Sequence, residues 1–269
     1  MISHLNISGE KIFFKKYNSG KKNVLLIHGL AIDSTIWEKI IPLLKKFQVI
    51  CLDLPGYGLN ADNPRNADLE SQALFIDNFV KAYGQINSVI GYSFGGRVVY
   101  EYFKKYNPSV EHLIIIAAPF FNTLFMRINS VFLNYLSRNN YLASKAYFIG
   151  TTFPVFHFIL KKWNVINLNN RELIKNIKVK LRAGNSYSKI IKNLASVSKK
   201  SKNNPVDTIA TLDYIYGEKD GSATLKMIKE RIKQDKSGRL IVLKNSYHLI
   251  PLEFPEKVVS IIKNIITVK

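Results

Sequence analysis

Short runs of β-branched and aromatic residues alternate along the chain with longer stretches whose apolar positions recur at helical spacing. That alternation is the pattern of a parallel sheet wrapped by helices. The runs predict strands over residues 11–17, 24–28, 48–52, 88–91, 113–117, 212–216 and 240–243. Helices are expected over 35–46, 69–83, 94–106, 224–233 and 256–265. The rhythm breaks after Pro119: from Phe120 to about Pro205 no strand is read, and aromatic and aliphatic residues recur at helix-like intervals. A stretch of that length is too long for a loop in a compact domain. The expected organisation is therefore a core domain of residues 1–119 and 206–269 with a helical cap over 120–205. The run from Lys199 to Pro205 is expected to be the exit linker of that cap.

Composition narrows the picture. A chain of 269 residues is long enough to bury a full core. Its single cysteine, Cys51, lies in the apolar run Val49-Ile50-Cys51-Leu52, which excludes an internal disulfide and a cysteine-based metal site. Residues 1–17 lack the charged start and apolar stretch of a secretory signal, and no run reaches ~18 apolar residues, so a cytoplasmic protein is expected. The formal net charge of +20 is high, and its distribution is uneven. Between Phe121 and Pro205 there are fifteen Lys and Arg against one acid, Glu172. A general lysine bias accounts for abundant cations but not for the near absence of acids in one segment. An acidic partner is one reading of that charge. Anionic lipid under the Lys161-Lys162-Trp163 stretch is another. Nucleic acid is not expected, because no reading motif accompanies the charge.

The chemistry is concentrated in a few short stretches. Gly91-Tyr92-Ser93-Phe94-Gly95-Gly96 lies directly between a predicted strand and a predicted helix. A serine at the apex of such a turn is exposed, and glycines two residues to either side, Gly91 and Gly95, let neighbouring main chains approach. Serine is a weak nucleophile at neutral pH and needs a base oriented by an anion. Asp220 follows one late strand and His248 the next, which gives the order Ser93, Asp220, His248, all at carboxyl ends of predicted strands. Glu218 is a nearby rival for the acid. The N–H groups of Phe94 and Leu30 are candidates for an oxyanion hole, with His28 and Gly29 bracing the loop that carries Leu30. Tyr92, Phe120, Phe121, Phe125 and His157 are candidates to line the substrate pocket. His4 and His112 have no evident partners. No metal site, phosphate-cradling loop or dinucleotide turn is read, and no cofactor is expected.

Together, His28-Gly29, Asp53-Leu54-Pro55-Gly56-Tyr57-Gly58, the Ser93 elbow and the Asp220 and His248 loops resemble the α/β-hydrolase superfamily. The branch is that of single-domain bacterial serine esterases with a helical cap. The resemblance implies an α/β-hydrolase fold: a mostly parallel, eight-stranded-type sheet with helices on both faces and a cap inserted after strand six. It implies Ser93 as nucleophile, His248 as general base and then acid, and Asp220 as orienting acid. Carboxylic ester or thioester hydrolysis is the expected reaction, with C–C bond hydrolysis or a non-catalytic receptor role as alternatives within the fold. Size, elbow and cap placement are also similar to esterases that demethylate pimeloyl-acyl carrier protein in biotin synthesis. For that function the basic cap would dock an acidic acyl carrier protein.

Overall fold

The computed structural model describes residues 1–120, 124–150, 152, 157–158, 160–161, 165–167, 170, 172–176, 186–197, 210–235 and 238–267; within 124–130 and at 197 it describes the backbone only. The strands are β1 (Ile2–Ile7), β2 (Glu10–Tyr17), β3 (Asn23–Ile27), β4 (Gln48–Leu52), β5 (Ser88–Tyr92), β6 (His112–Ile116), β7 (Thr211–Gly217) and β8 (Gly238–Leu243). They form one sheet in the order β1-β2-β4-β3-β5-β6-β7-β8. β1 and β2 pair antiparallel, as do β2 and β4, and every pairing from β4 to β8 is parallel. The helices are α1 (Leu69–Tyr83), α2 (Phe94–Tyr106), α3 (Leu124–Ser137), α4 (Asn140–Gly150), α5 (Tyr187–Val197), α6 (Leu225–Ile232), α7 (Ile250–Glu253) and α8 (Pro255–Thr267).

The central strands are apolar throughout because both faces of the sheet are covered. In β3, Leu25 and Ile27 point into the core shared with α1 and α2, while Val24 and Leu26 join Trp37, Ile40 and the apolar stripe of α8. β6 divides in the same way, with Leu113 and Ile115 on the first face and Ile114 and Ile116 on the second. Period-2 alternation therefore decides only which core a side chain joins.

Two expectations about secondary structure need correction. Residues 35–46 do not form one helix but two separate 3-10 turns, Ser34–Trp37 and Ile41–Leu43. Pro42 sits in the second turn; in a continuous α-helix it would lack an N–H and collide with the Glu38 carbonyl. The other correction is β1, which was not foreseen and pairs with β2 from Ile2 opposite Lys15 to Ile7 opposite Glu10. The turn between them is Ser8-Gly9, both at positive φ (52° and 83°), the backbone that a two-residue hairpin requires. His112 also has partners: Nδ1 is 2.7 Å from Thr211 Oγ1, and Glu111 lies beside the ring.

The order of the sheet positions the site. From β3 the chain goes to β4 on one side and then crosses to β5 on the other, so the loops after β3 and β5 diverge at a crevice. The loops after β7 and β8 open at the same rim of the sheet. Among the described residues between β6 and β7 the regular elements are helical, and α3 packs against α4 and α5.

Candidate active site

Ser93 joins β5 to α2 at φ 52° and ψ −118°, a region that costs a non-glycine residue on the order of 1–3 kcal/mol. It lies at the N-cap of α2, yet its side chain makes no capping bond. The hydroxyl instead reaches His248, with Oγ 2.9 Å from Nε2. The elbow is held from below by the Ser93 N–H, which donates to the Ile116 carbonyl at 2.7 Å. Its glycines are steric requirements. A Cβ on Gly95 would run into the His28 carbonyl oxygen, and one on Gly91 would lie 2.6 Å from Gly96 Cα.

His248 Nδ1 lies 2.7 Å from Asp220 Oδ2, so one imidazole bridges the serine and the carboxylate. Asp220 is buried after β7, and its other oxygen accepts from the Ser222 N–H (2.8 Å), the Ser222 hydroxyl (2.7 Å) and the Ala223 N–H (2.9 Å). Burial alone would push the Asp220 carboxyl up. The His248 charge and these hydrogen bonds outweigh it and hold the group below the usual aspartate range. Glu218 takes a different place, accepting from the Asn245 N–H at 2.9 Å.

Ser222 was missed by sequence reasoning. Its Oγ lies 2.9 Å from His248 Nδ1 while donating to Asp220, so it borders both members of the pair. The available signal was the spacing Asp220-Gly221-Ser222, which suits an aspartate turn accepting from the residue two positions on.

The His248 loop is braced from two directions. Its N–H donates to the Val165 carbonyl at 3.0 Å, and its own carbonyl accepts from the Tyr92 hydroxyl at 3.3 Å. Tyr92, expected to line the pocket, is buried against Trp37 and the His248 ring.

The loop after β3 carries Leu30. No protein acceptor is found for the Leu30 or Phe94 N–H among the described residues. His28, fully buried, accepts at Nε2 from the Leu54 N–H (3.0 Å), which leaves Nδ1–H to donate to the Gly29 carbonyl (2.8 Å). Burial lowers its pKa, against the partial opposition of Asp53 and the Gly29 carbonyl, so the ring is a neutral brace. Asp53 ties the same region together by accepting from the Ser34 N–H (2.7 Å) and the Leu59 N–H (3.0 Å).

Phe120 packs edge-on to Tyr100 with the Arg97 guanidinium over its ring, which gives it neighbours in the core. His157 is half-buried in a helical turn. Phe121 and the side chain of Phe125 lie outside the described residues. No cluster able to hold a metal ion occurs among the described residues.

A doubly covered, mostly parallel sheet that gathers a serine elbow, an imidazole and a carboxylate at one rim is an open α/β architecture with its polar groups at a topological switch point. The chain belongs to the alpha/beta hydrolase fold family, whose profile matches residues 22–255. Solved structures agree on the fold. An esterase from Thermogutta terrifontis superposes with a TM-score of 0.74 at 19% identity, covering 98% of this chain and 97% of that one. A hydrolase from Pseudomonas aeruginosa gives 0.78 at 17% identity, covering 99% and 98%. Among curated proteins, a pimeloyl-[acyl-carrier protein] methyl ester esterase of Legionella pneumophila is 40% identical over 86 residues, which is 32% of this chain and 33% of that protein. The chain spans 40% and 23% of the lengths of two other curated relatives, from Gibberella zeae and Caenorhabditis elegans.

Proposed function

We propose that this chain is a serine hydrolase that cleaves a carboxylic ester or thioester through an acyl-enzyme. The observation that carries the reading is the pair of hydrogen bonds linking Ser93 Oγ to His248 and His248 to Asp220. In this mechanism Ser93 Oγ attacks the acyl carbon while His248 Nε2 takes the hydroxyl proton. Asp220 accepts from Nδ1–H and stabilises the imidazolium. The tetrahedral oxyanion accepts from the Leu30 and Phe94 N–H groups; losing one such donor typically costs on the order of 3 kcal/mol of transition-state stabilisation. Collapse expels the alcohol or thiol with the proton returned by His248. Water then attacks the acyl-serine with the same proton transfers, and the free acid leaves.

Ser93→Ala is expected to lower hydrolysis of p-nitrophenyl esters by roughly 10⁴ or more with an unchanged melting curve. Near-normal turnover by the folded variant would sink the assignment.

A second reading takes the substrate as a methyl ester whose acyl chain is attached to an acidic carrier protein. The likeness to the Legionella esterase over 86 residues favours it, as does the basic segment between β6 and β7. In that segment, charge steers encounter and orientation more than it raises affinity. The same assay separates the two readings when methyl pimeloyl-acyl carrier protein is run beside the soluble esters. Fast, salt-sensitive demethylation selects the carrier substrate, and fast short-ester turnover alone leaves a general carboxylesterase.

A further inference from the structure

The outer face of α3 and α4 inverts the usual rule for surface helices. In α3, Val131, Phe132 and Tyr135 are 60–71% exposed, and their spacing puts them on one side of the helix. In α4, Tyr141, Phe148 and Ile149 are 58–64% exposed; with Lys145 they occupy positions i, i+4, i+7 and i+8, a single stripe. Elsewhere among the described residues the exposed large apolar side chains are Met1, Ile2, Leu74, Phe158 and Val242, which are scattered. Single exposed apolar residues need no explanation, but exposed stripes of aromatic and aliphatic side chains on two helices that pack together mark an interaction surface.

The charges on this face are cationic. Arg138 follows the α3 stripe by one turn, and the Lys145 ammonium lies 4.5 Å from the Tyr141 ring centre. By contrast, Lys189 and Lys192 on α5 are engaged with the Asn63 carbonyl and Asn66. A mostly apolar cleft of about 650 Å³ opens between α4 and the start of α5, lined by Ser144 and Lys145 with Tyr141, Tyr147, Phe148, Ile149 and Tyr187. No helix among the described residues is long and apolar enough to cross a membrane, so the face would lie on a bilayer and not span it.

We propose that the α3–α4 face docks on an anionic phospholipid surface, with its aromatic and aliphatic side chains at the headgroup–acyl boundary and Arg138 and Lys145 among the phosphates. Tyrosines beside long cationic side chains suit that boundary, where rings sit at headgroup level and Lys and Arg stems snorkel. Self-association through the same face is disfavoured by charge, because a two-fold contact would bring the exposed Arg138 and Lys145 of two copies together with no acid among the described residues of the face to offset them. This docking is independent of the reaction proposed above and rests on α3 and α4; of the Lys161-Lys162-Trp163 stretch, Lys162 and Trp163 lie outside the described residues.

The test is co-sedimentation of the full chain with vesicles of phosphatidylcholine plus phosphatidylglycerol, beside vesicles of phosphatidylcholine alone. Binding is expected to the anionic vesicles, weaker at high salt, and about tenfold or more lower for Phe132→Asp with Ile149→Asp. Arg138→Glu with Lys145→Glu should abolish the preference for phosphatidylglycerol. Melting curves report that each variant folds; if the Asp pair does not, the alanine pair at the same two positions replaces it. Failure of the wild type to bind anionic vesicles overturns the proposal, as does equal binding by the folded apolar variants. A dimer in sedimentation that the apolar variants split also overturns it, in favour of a second copy.

Discussion

Ser222 gives the site a feature that the serine, histidine and aspartate alone do not have. In the proposed reaction the Asp220 carboxylate stays charged and fixed while the imidazole beside it gains and loses a proton, and Ser222 supplies two of the hydrogen bonds that hold it. Ser222→Ala removes the hydroxyl but keeps both backbone donors. Its expected effect is a fall in kcat of about tenfold with little change in KM, since one hydrogen bond near 1.4 kcal/mol corresponds to that factor. Asp220→Asn should cost about 10⁴ by comparison. Steady-state kinetics on a soluble ester check both, and a Ser222→Ala loss as large as that of Asp220→Asn would contradict this division. Residue by residue, the serine elbow, the late acid and the late histidine were legible because each follows an apolar run. Ser222 was not, because small polar residues after an aspartate are common in turns. The place of Tyr92 between Trp37 and the His248 ring was likewise not legible, because it depends on residues more than fifty positions away in the chain on either side.

At the scale of elements, strands were easier to read than the segments that lean on them. The parallel strands announced themselves as β-branched runs, whereas residues 35–46 have helical spacing that Pro42 divides, and β1 alternates exposed and half-buried positions at the edge of the sheet. Tertiary polar contacts were beyond sequence pattern altogether. Asp235, just beyond α6, accepts from Tyr100 of α2 (2.8 Å), Tyr214 of β7 (2.6 Å) and the buried Arg231 of α6 (3.0 Å). One carboxylate thus joins three elements. Asp235→Ala leaves a guanidinium buried without its counter-charge, and a loss of about 3–5 kcal/mol in unfolding free energy is expected. Urea denaturation measures it; a loss below about 1 kcal/mol would place the packing of α6 elsewhere.

Over the whole molecule, acid should act partly through the site itself. The folded Asp220 carboxyl lies below its ordinary value, so its contribution to stability is present above the unfolded aspartate range near pH ~4 and is lost as pH falls through the folded value. Unfolding free energy measured across that window should fall less steeply for Asp220→Asn than for the wild type; parallel curves would show that the site does not carry the titration. The distribution of charge along the chain was legible from composition, but the face of α3 and α4 on which apolar side chains meet it was not, because helical spacing does not say which stripe turns outward. The bond from the His248 N–H to the Val165 carbonyl joins the loop after β8 to the polypeptide between β6 and β7. Any displacement of Val165 must break this bond or carry the His248 backbone with it, so the position of the imidazole is tied to a residue more than eighty positions earlier in the chain.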